Sequence, residues 1–132
     1  MKNSTKGWIF FAENDMMVVE SSIGIPRLTG QVIFHSQQAI EKYLKSYLVE
    51  NDIGFPKTHD LPTLYELVKK VTDFNIDEIM LEQISNIYTV TRYPNNIGLL
   101  PDGQVPTLER SKEISDFAKN VERFIKKELG AS

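Results

Sequence analysis

The chain has 132 residues, no cysteine, and a formal net charge of -3 from 15 Lys+Arg and 18 Asp+Glu. These values exclude disulfides, thiolate metal ligands and cysteine nucleophiles, and they argue against broad electrostatic capture of nucleic acid. The length fits a single domain spanning residues 1–132, and no apolar run approaches the roughly 18 residues that a membrane span needs, so we expect a cytoplasmic protein without a membrane contact.

The first two predicted helices are separated by helix-breaking residues. Apolar residues recur at helical spacing over about 5–21, and Gly24 and Pro26 then interrupt the pattern. A longer helix is predicted over 29–50, because the segment after it contains Pro56 and other residues that cannot easily continue a helix. The apolar stripe of the first helix consists of Trp8, Phe11, Ala12, Val18 and Val19.

Three further helices follow. The third begins after Asp60, a predicted N-cap, and tolerates Pro62 in its first turn. The fourth has apolar residues over 76–90 and is stopped by Pro94, and the fifth covers about 107–129. Because no segment alternates with period two, we predict an all-α fold, an antiparallel up-down helical bundle of about five helices. The apolar stripes include Val71 in the third helix and Ile76, Ile79, Met80, Ile84, Ile87 and Val90 in the fourth.

Asp15 lies within the apolar stripe of the first helix. An unpaired buried carboxylate costs several kcal/mol, so we expect Asp15 to have a cationic or hydrogen-bonding partner or to face a cleft. The candidate partners are Arg92, His35 and Lys42. A structural ion pair that fixes helix register and a carboxylate that faces a cleft both remain open.

The second helix carries an ordered line of polar side chains. They recur at steps of four, three, four and three residues and therefore share one face of the helix. The line is either the solvated face of a central helix or one wall of a groove, in which the lysines contact phosphate and the histidine and an amide contact a base or sugar. The line consists of Gln31, His35, Gln38, Lys42 and Lys45.

A second candidate site follows the fourth helix. Tyr88 and Arg92 are one helical turn apart, and Tyr93, Asn95 and Asn96 come directly afterwards. A guanidinium beside aromatic rings and amides can hold phosphate and stack on a base, so these residues form a predicted ligand site. Alternatively, Arg92 caps helix carbonyls or pairs with Asp15.

The two histidines, His35 and His59, do not form a metal-binding pattern. A lone loop histidine such as His59 more often has a structural role, orienting backbone carbonyls, than a catalytic one. Their spacing matches no metal motif, and the sequence lacks a phosphate-binding glycine loop, so we predict neither a metal nor a cofactor.

Apolar residues also lie outside the expected core. Phe10 and Met17 are a heptad apart on the face of the first helix opposite its stripe, which suggests an exposed patch. The apolar arc of the second helix covers more than half its circumference, so we expect a second layer of contacts there from the bundle and from another subunit. This arc consists of Val32, Ile33, Phe34, Ala39, Ile40, Tyr43, Leu44, Tyr47 and Leu48.

Four separated blocks together resemble the HEPN domain family. These are "GWIFFAENDM", "FHSQQAIEKYLKSYL", "KTHDL" and "YTVTRYP", in that order within about 7–129. The resemblance implies an antiparallel helical bundle that is usually a homodimer and is often paired with a minimal nucleotidyltransferase, in a toxin-antitoxin-like arrangement. It also implies a proposed ability to bind nucleotides.

Many HEPN proteins are metal-independent ribonucleases with an R-x(4-6)-H motif at the dimer cleft. Arg92 matches the arginine, but the positions for the histidine hold Ile97, Gly98 and Leu99. We therefore expect a non-catalytic subunit that binds a nucleotide, single-stranded RNA or a partner protein. The alternatives are a divergent ribonuclease using Arg92 with His35 or His59, and a purely structural dimerisation module.

Overall fold

The computed structural model describes the backbone of residues 1–91 and 105–131 and the side chains of 1–87 and 105–131. Within these ranges the chain forms helices and turns and no strand, which confirms the predicted all-α class. A short 3₁₀ turn, Pro26–Leu28, joins the first two helices. The helices are α1 (Asn3–Ser22), α2 (Thr29–Glu50), α3 (Leu61–Lys69), α4 (Glu78–Thr91) and α5 (Leu108–Leu129).

Side-chain caps set the starts of two helices. The Asp60 carboxylate accepts a hydrogen bond from the Thr63 backbone N–H at 3.2 Å, which confirms Asp60 as the N-cap of α3. The Thr107 hydroxyl accepts from the Arg110 N–H at 3.0 Å at the start of α5. Such caps satisfy backbone donors that have no partner inside the helix, and this is why α3 and α5 start where they do.

The central element of the bundle is α2, which packs against α1, α3, α4 and α5. Its apolar arc is buried, apart from half-buried Phe34, as the sequence predicted. Because the core surrounds α2, its remaining polar side chains are confined to the seams between neighbouring helices. No described helix has the length and apolar character needed to cross a membrane.

Three apolar residues assigned to core stripes are exposed instead. On α1 the core face runs through Ile9, Ala12 and Met16, and Phe11 lies one residue, or about 100° of helix rotation, away from Ala12. Val71 lies beyond the end of α3. Ile79 lies two residues, or about 200° of helix rotation, before buried Leu81 of α4 and is therefore on the opposite face of that helix.

The N-terminal turn of α1 is attached to the C-terminal end of α2. Glu50 Oε1 accepts from the Lys2 backbone N–H at 3.0 Å and from the Thr5 hydroxyl at 2.8 Å. These two hydrogen bonds, first the backbone one, favour the charged carboxylate and lower the pKa of Glu50 below its usual value of 4.5.

We expect Glu50→Gln to remove a pH-dependent part of the stability. A carboxylate with a lowered pKa stabilises the folded state above its unfolded pKa, and this stabilisation is lost as the pH falls through the lowered value. The melting temperature of Glu50→Gln should therefore lie below that of the wild type at neutral pH, and the gap should close on acidification. Thermal melts at stepped pH would measure the gap, and a gap independent of pH would contradict the prediction.

Candidate functional site

Asp15 holds two side chains of α2 at once. Its Oδ1 lies 2.9 Å from His35 Nδ1, and its Oδ2 lies 2.6 Å from Lys42 Nζ. His35 and Lys42 are a heptad apart on α2 and so reach the same point on α1. This confirms that buried Asp15 has partners, and two of the three predicted candidates supply them. Below, these three residues are called the Asp15 cluster.

The Asp15 cluster fixes the chemistry of the imidazole. An ionised carboxylate only accepts hydrogen bonds, so Nδ1 of His35 must carry the proton that it shares with Asp15. In the neutral ring, Nε2 is then an acceptor. The side chains of His35 and Lys42 are 26% and 22% exposed, so the cluster sits at a partly open edge of the bundle.

A second carboxylate, Glu41, is more deeply buried and was not singled out from the sequence. Its Oε2 lies 2.9 Å from Lys45 Nζ and its Oε1 lies 3.0 Å from His59 Nδ1. The Lys45 ammonium also lies 5.3 Å from the centre of the Trp8 ring. We call Glu41, Lys45 and His59 the Glu41 cluster. Its signal in the sequence was the i, i+4 spacing of Glu41 and Lys45 on α2, an arrangement that favours an ion pair.

These contacts revise the interpretation of the polar line on α2. Lys45 is buried, and Gln31, His35, Gln38 and Lys42 are half-buried, so a simple solvated face is wrong. Burial also counts against the predicted phosphate contact of Lys45. His59, expected to orient carbonyls, places Nδ1 on the Glu41 carboxylate. Ligand contacts by Gln38 and Lys42 stay predictions.

Gln37 connects α2 to the helix that leads to the second candidate site. This buried side chain donates its amide N–H to the Ile84 carbonyl of α4, one turn before Tyr88. Among the described residues, Gln37 Oε1 has no hydrogen-bond partner. The Tyr88 side chain lies outside the described residues, as do Arg92, Tyr93, Pro94, Asn95 and Asn96.

A third polar group joins α1, α2 and α5. Tyr43 is fully buried, and its hydroxyl donates to Glu122; burial and then this hydrogen bond raise the pKa of Tyr43. Lys126 lies 2.8 Å from Glu13 and 3.6 Å from Glu122. Partial burial alone would lower the pKa of Lys126, but the two carboxylates outweigh it and raise the pKa.

Within the described part of the chain, no three His, Asp or Glu side chains come together as a metal site would require.

Comparisons with known proteins agree with this architecture. The crystal structure of TT1696 from Thermus thermophilus is similar with a TM-score of 0.72 over 96% of this chain and 98% of that chain, and the 22% sequence identity establishes a shared fold alone. No curated protein matches the chain. The family model of the HEPN domain matches residues 6–129, nearly the whole length. The chain therefore belongs to the HEPN domain family.

Proposed function

We propose that this HEPN protein is a non-catalytic subunit that binds a nucleotide and works beside a nucleotidyltransferase-class protein, as in a toxin-antitoxin-like pair. Arg92 contacts a phosphate, and Tyr88 or Tyr93 stacks on the base. The partly open edge of α2 contributes hydrogen bonds to the base or sugar from His35 and Gln38.

The observation that carries this proposal is the double contact of Asp15. Because Asp15 accepts from both His35 and Lys42, these side chains are already ordered, and less conformational entropy is lost when a ligand binds them. Asp15 balances the charge of Lys42. The partly open edge of α2 should therefore bind the uncharged base or sugar of a nucleotide more favourably than its phosphates. The phosphate contact is accordingly assigned to Arg92.

The absence of a histidine five to seven residues after Arg92 supports a non-catalytic role. General acid-base catalysis by a placed imidazole contributes roughly 10²- to 10⁴-fold, and the two histidines of this chain lie elsewhere. Both of them hold a buried carboxylate through Nδ1. The partner nucleotidyltransferase would then supply the covalent chemistry of the pair.

One observation favours the second candidate, a divergent ribonuclease. When a carboxylate accepts a hydrogen bond from the proton-bearing Nδ1 of a histidine, the other ring nitrogen, Nε2, is free of a proton and can act as a base. His35 has this arrangement with Asp15. If Arg92 lies near enough, Nε2 of His35 would take the proton of an RNA 2'-hydroxyl without a metal. The two candidates share residues and differ in whether RNA is cut.

Titration calorimetry with ATP, GTP and a short single-stranded RNA, followed by gel analysis of the RNA, tests both candidates. We expect Arg92→Ala to weaken nucleotide binding by at least about tenfold, because a hydrogen bond to a charged group contributes roughly 1.5–3 kcal/mol. Arg27→Ala is the matched control, since Arg27 is an exposed arginine of the 3₁₀ turn.

His35→Asn separates the roles of the two ring nitrogens. The asparagine amide can still donate to Asp15, but it has no group in the place of Nε2. Weaker binding of nucleotide with intact RNA supports the proposal, whereas RNA cleavage that disappears in both His35→Asn and Arg92→Ala establishes the ribonuclease. If no ligand binds the wild type, the purely structural module is the correct account.

A further inference from the structure

A cavity apart from the candidate sites lies between the segment that joins α3 to α4 and the C-terminal half of α5. Residues 73–77 form one side of it, and residues of α5 within 117–127 form the other. We call it the α5 cavity. Its volume is about 660 Å³, inside the range of roughly 300–1,000 Å³ that small-molecule sites occupy. None of its described lining residues belongs to the Asp15 cluster, the Glu41 cluster or the predicted Arg92 site.

Aromatic side chains form the inner wall of the α5 cavity. The rings of Phe74 and Phe124 stack with centroids 3.8 Å apart and planes at 6°, and Phe117 and Ile76 line the wall beside them. Phe74 and Phe117 are buried, whereas Phe124 and Ile76 are half-buried and present apolar surface to the cavity. A ring of a ligand can therefore continue the aromatic packing on this wall.

Opposite charges line the mouth of the α5 cavity without pairing. Arg123 and Lys127 come from α5, and Asp73 and Asp77 come from the joining segment. All four side chains are exposed, and among the described residues none of them forms an ion pair. The cavity thus separates two cations on one side from two carboxylates on the other.

The hydrogen bonds that these groups form leave much of their bonding capacity unused. Asn120 Oδ1 accepts from one guanidinium nitrogen of Arg123 at 2.8 Å. Asp73 Oδ1 accepts from the Asn75 side-chain amide at 3.2 Å, and Asp77 Oδ1 accepts from a backbone N–H of α4 at 3.1 Å. Within the described part of the chain, the other guanidinium nitrogens and the second oxygen of each carboxylate have no partner. These atoms are available to a ligand.

The wall and the two charged sides together define the chemistry of a matching ligand. A ring packs on the aromatic wall, an anionic group contacts the cations of α5, and a cationic group contacts the carboxylates of the joining segment. A phosphate carries more negative charge than a carboxylate, so Asp73 and Asp77 would repel it more strongly. The anionic group that fits best is therefore a carboxylate.

We propose that the α5 cavity binds a small zwitterion with an aromatic side chain, the chemical class of an aromatic amino acid. The carboxylate of the ligand contacts Arg123 and Lys127. Its ammonium contacts Asp73 and Asp77, and its ring packs on Phe124. This inference goes beyond the nucleotide-binding proposal and does not depend on it, because the two proposals share no residue.

Titration calorimetry of the protein with phenylalanine tests the proposal, and three analogues each lack one of the required groups. Hydrocinnamate lacks the ammonium, phenethylamine lacks the carboxylate and glycine lacks the ring. We expect phenylalanine to bind at one site per chain, and each analogue to bind at least about fivefold more weakly, because it leaves one part of the cavity without its partner. No saturable binding of phenylalanine, or equal binding of hydrocinnamate, would overturn the proposal.

Two substitutions at the mouth test the charged contacts. Arg123→Ala should weaken phenylalanine binding at least about tenfold, because contacts of arginine with a carboxylate are charge-assisted. Asp73→Asn keeps the oxygen that accepts from Asn75 and removes the charge, so affinity should fall at least about threefold. Lys112→Ala and Asp116→Asn are the matched controls, because both residues are exposed on α5 outside the cavity. Wild-type affinity in both Arg123→Ala and Asp73→Asn would overturn the proposal.

Amide NMR locates the bound ligand. Phenylalanine should shift the signals of residues 73–77 and 117–127 and leave those of 3–22, in α1, unchanged. ATP should not displace phenylalanine, since the nucleotide is assigned to other residues. Shifts confined to residues outside the two ranges, or displacement by ATP, would overturn the proposal. A protein that fails to bind ATP but binds phenylalanine would contradict the nucleotide-binding proposal and support this one.

Discussion

Glu41→Gln will lower the free energy of unfolding by about 3 kcal/mol, since removing one partner of a buried ion pair leaves the other charge uncompensated. Glu41 and Lys45 are only 4% and 7% exposed, so water cannot take over the solvation of the ammonium. The glutamine keeps the shape of the side chain and an oxygen that can accept from His59. The difference in free energy of unfolding between the wild type and Glu41→Gln, measured in urea, would therefore report mainly the loss of the Glu41 charge.

The double variant Glu41→Gln with Lys45→Met should be compared with Glu41→Gln in the same urea unfolding experiment. Removing both charges leaves nothing uncompensated, so we expect it to be more stable than Glu41→Gln alone. Glu66→Gln breaks the exposed pair with Lys69 at 3.3 Å and should cost far less than Glu41→Gln, because exposed ion pairs contribute little to stability. If Glu41→Gln costs no more than Glu66→Gln, the Glu41 cluster does not stabilise the fold as its burial implies.

Helical periodicity was enough to predict the fold because one helix, α2, is apolar around most of its circumference. A helix of that kind must be surrounded, and the stripe on α5 then supplies an obvious neighbour. The predicted bounds of α2 match the structure, and those of α1 and α5 differ by one or two residues at a terminus. Breakers and capping residues act locally, so a sequence reveals them.

The seams between helices were harder to predict, because a side chain there depends on how two helices are rotated against each other. The cost of burying Asp15 predicted that it has a partner, yet the assignment of His35 and Lys42 as partners required the α1–α2 packing. Lys45 shares the polar line with Lys42, but it is offset by about 60° on the helix and points to Glu41 instead. The sequence pattern placed Lys42 and Lys45 in one polar line, and the packing of the helices places them in two different clusters.

Asp15→Asn should change which ring nitrogen of His35 carries the proton. In the wild type, the Asp15 carboxylate requires Nδ1 of the neutral ring to be the protonated nitrogen. In Asp15→Asn the amide can rotate and either accept from Nδ1 or donate to it, so the preference for one tautomer should be lost. Nitrogen NMR of the imidazole, at a pH above the usual histidine range, would report which nitrogen carries the proton.

Stability should change less in Asp15→Asn than in Glu41→Gln. Lys42 is 22% exposed, so its ammonium can reach water after losing Asp15, and we expect a cost of about 2 kcal/mol. Lys42→Met is the matched control, because it removes the same ion pair and leaves the carboxylate on His35. That variant should keep the Nδ1–H tautomer and, if Nε2 contacts the ligand, should also keep most of the nucleotide affinity that Asp15→Asn loses. An unchanged tautomer in Asp15→Asn would mean that the carboxylate does not determine which nitrogen of His35 is protonated. The proposal that the exposed edge of α2 contacts the nucleotide would then lose its support.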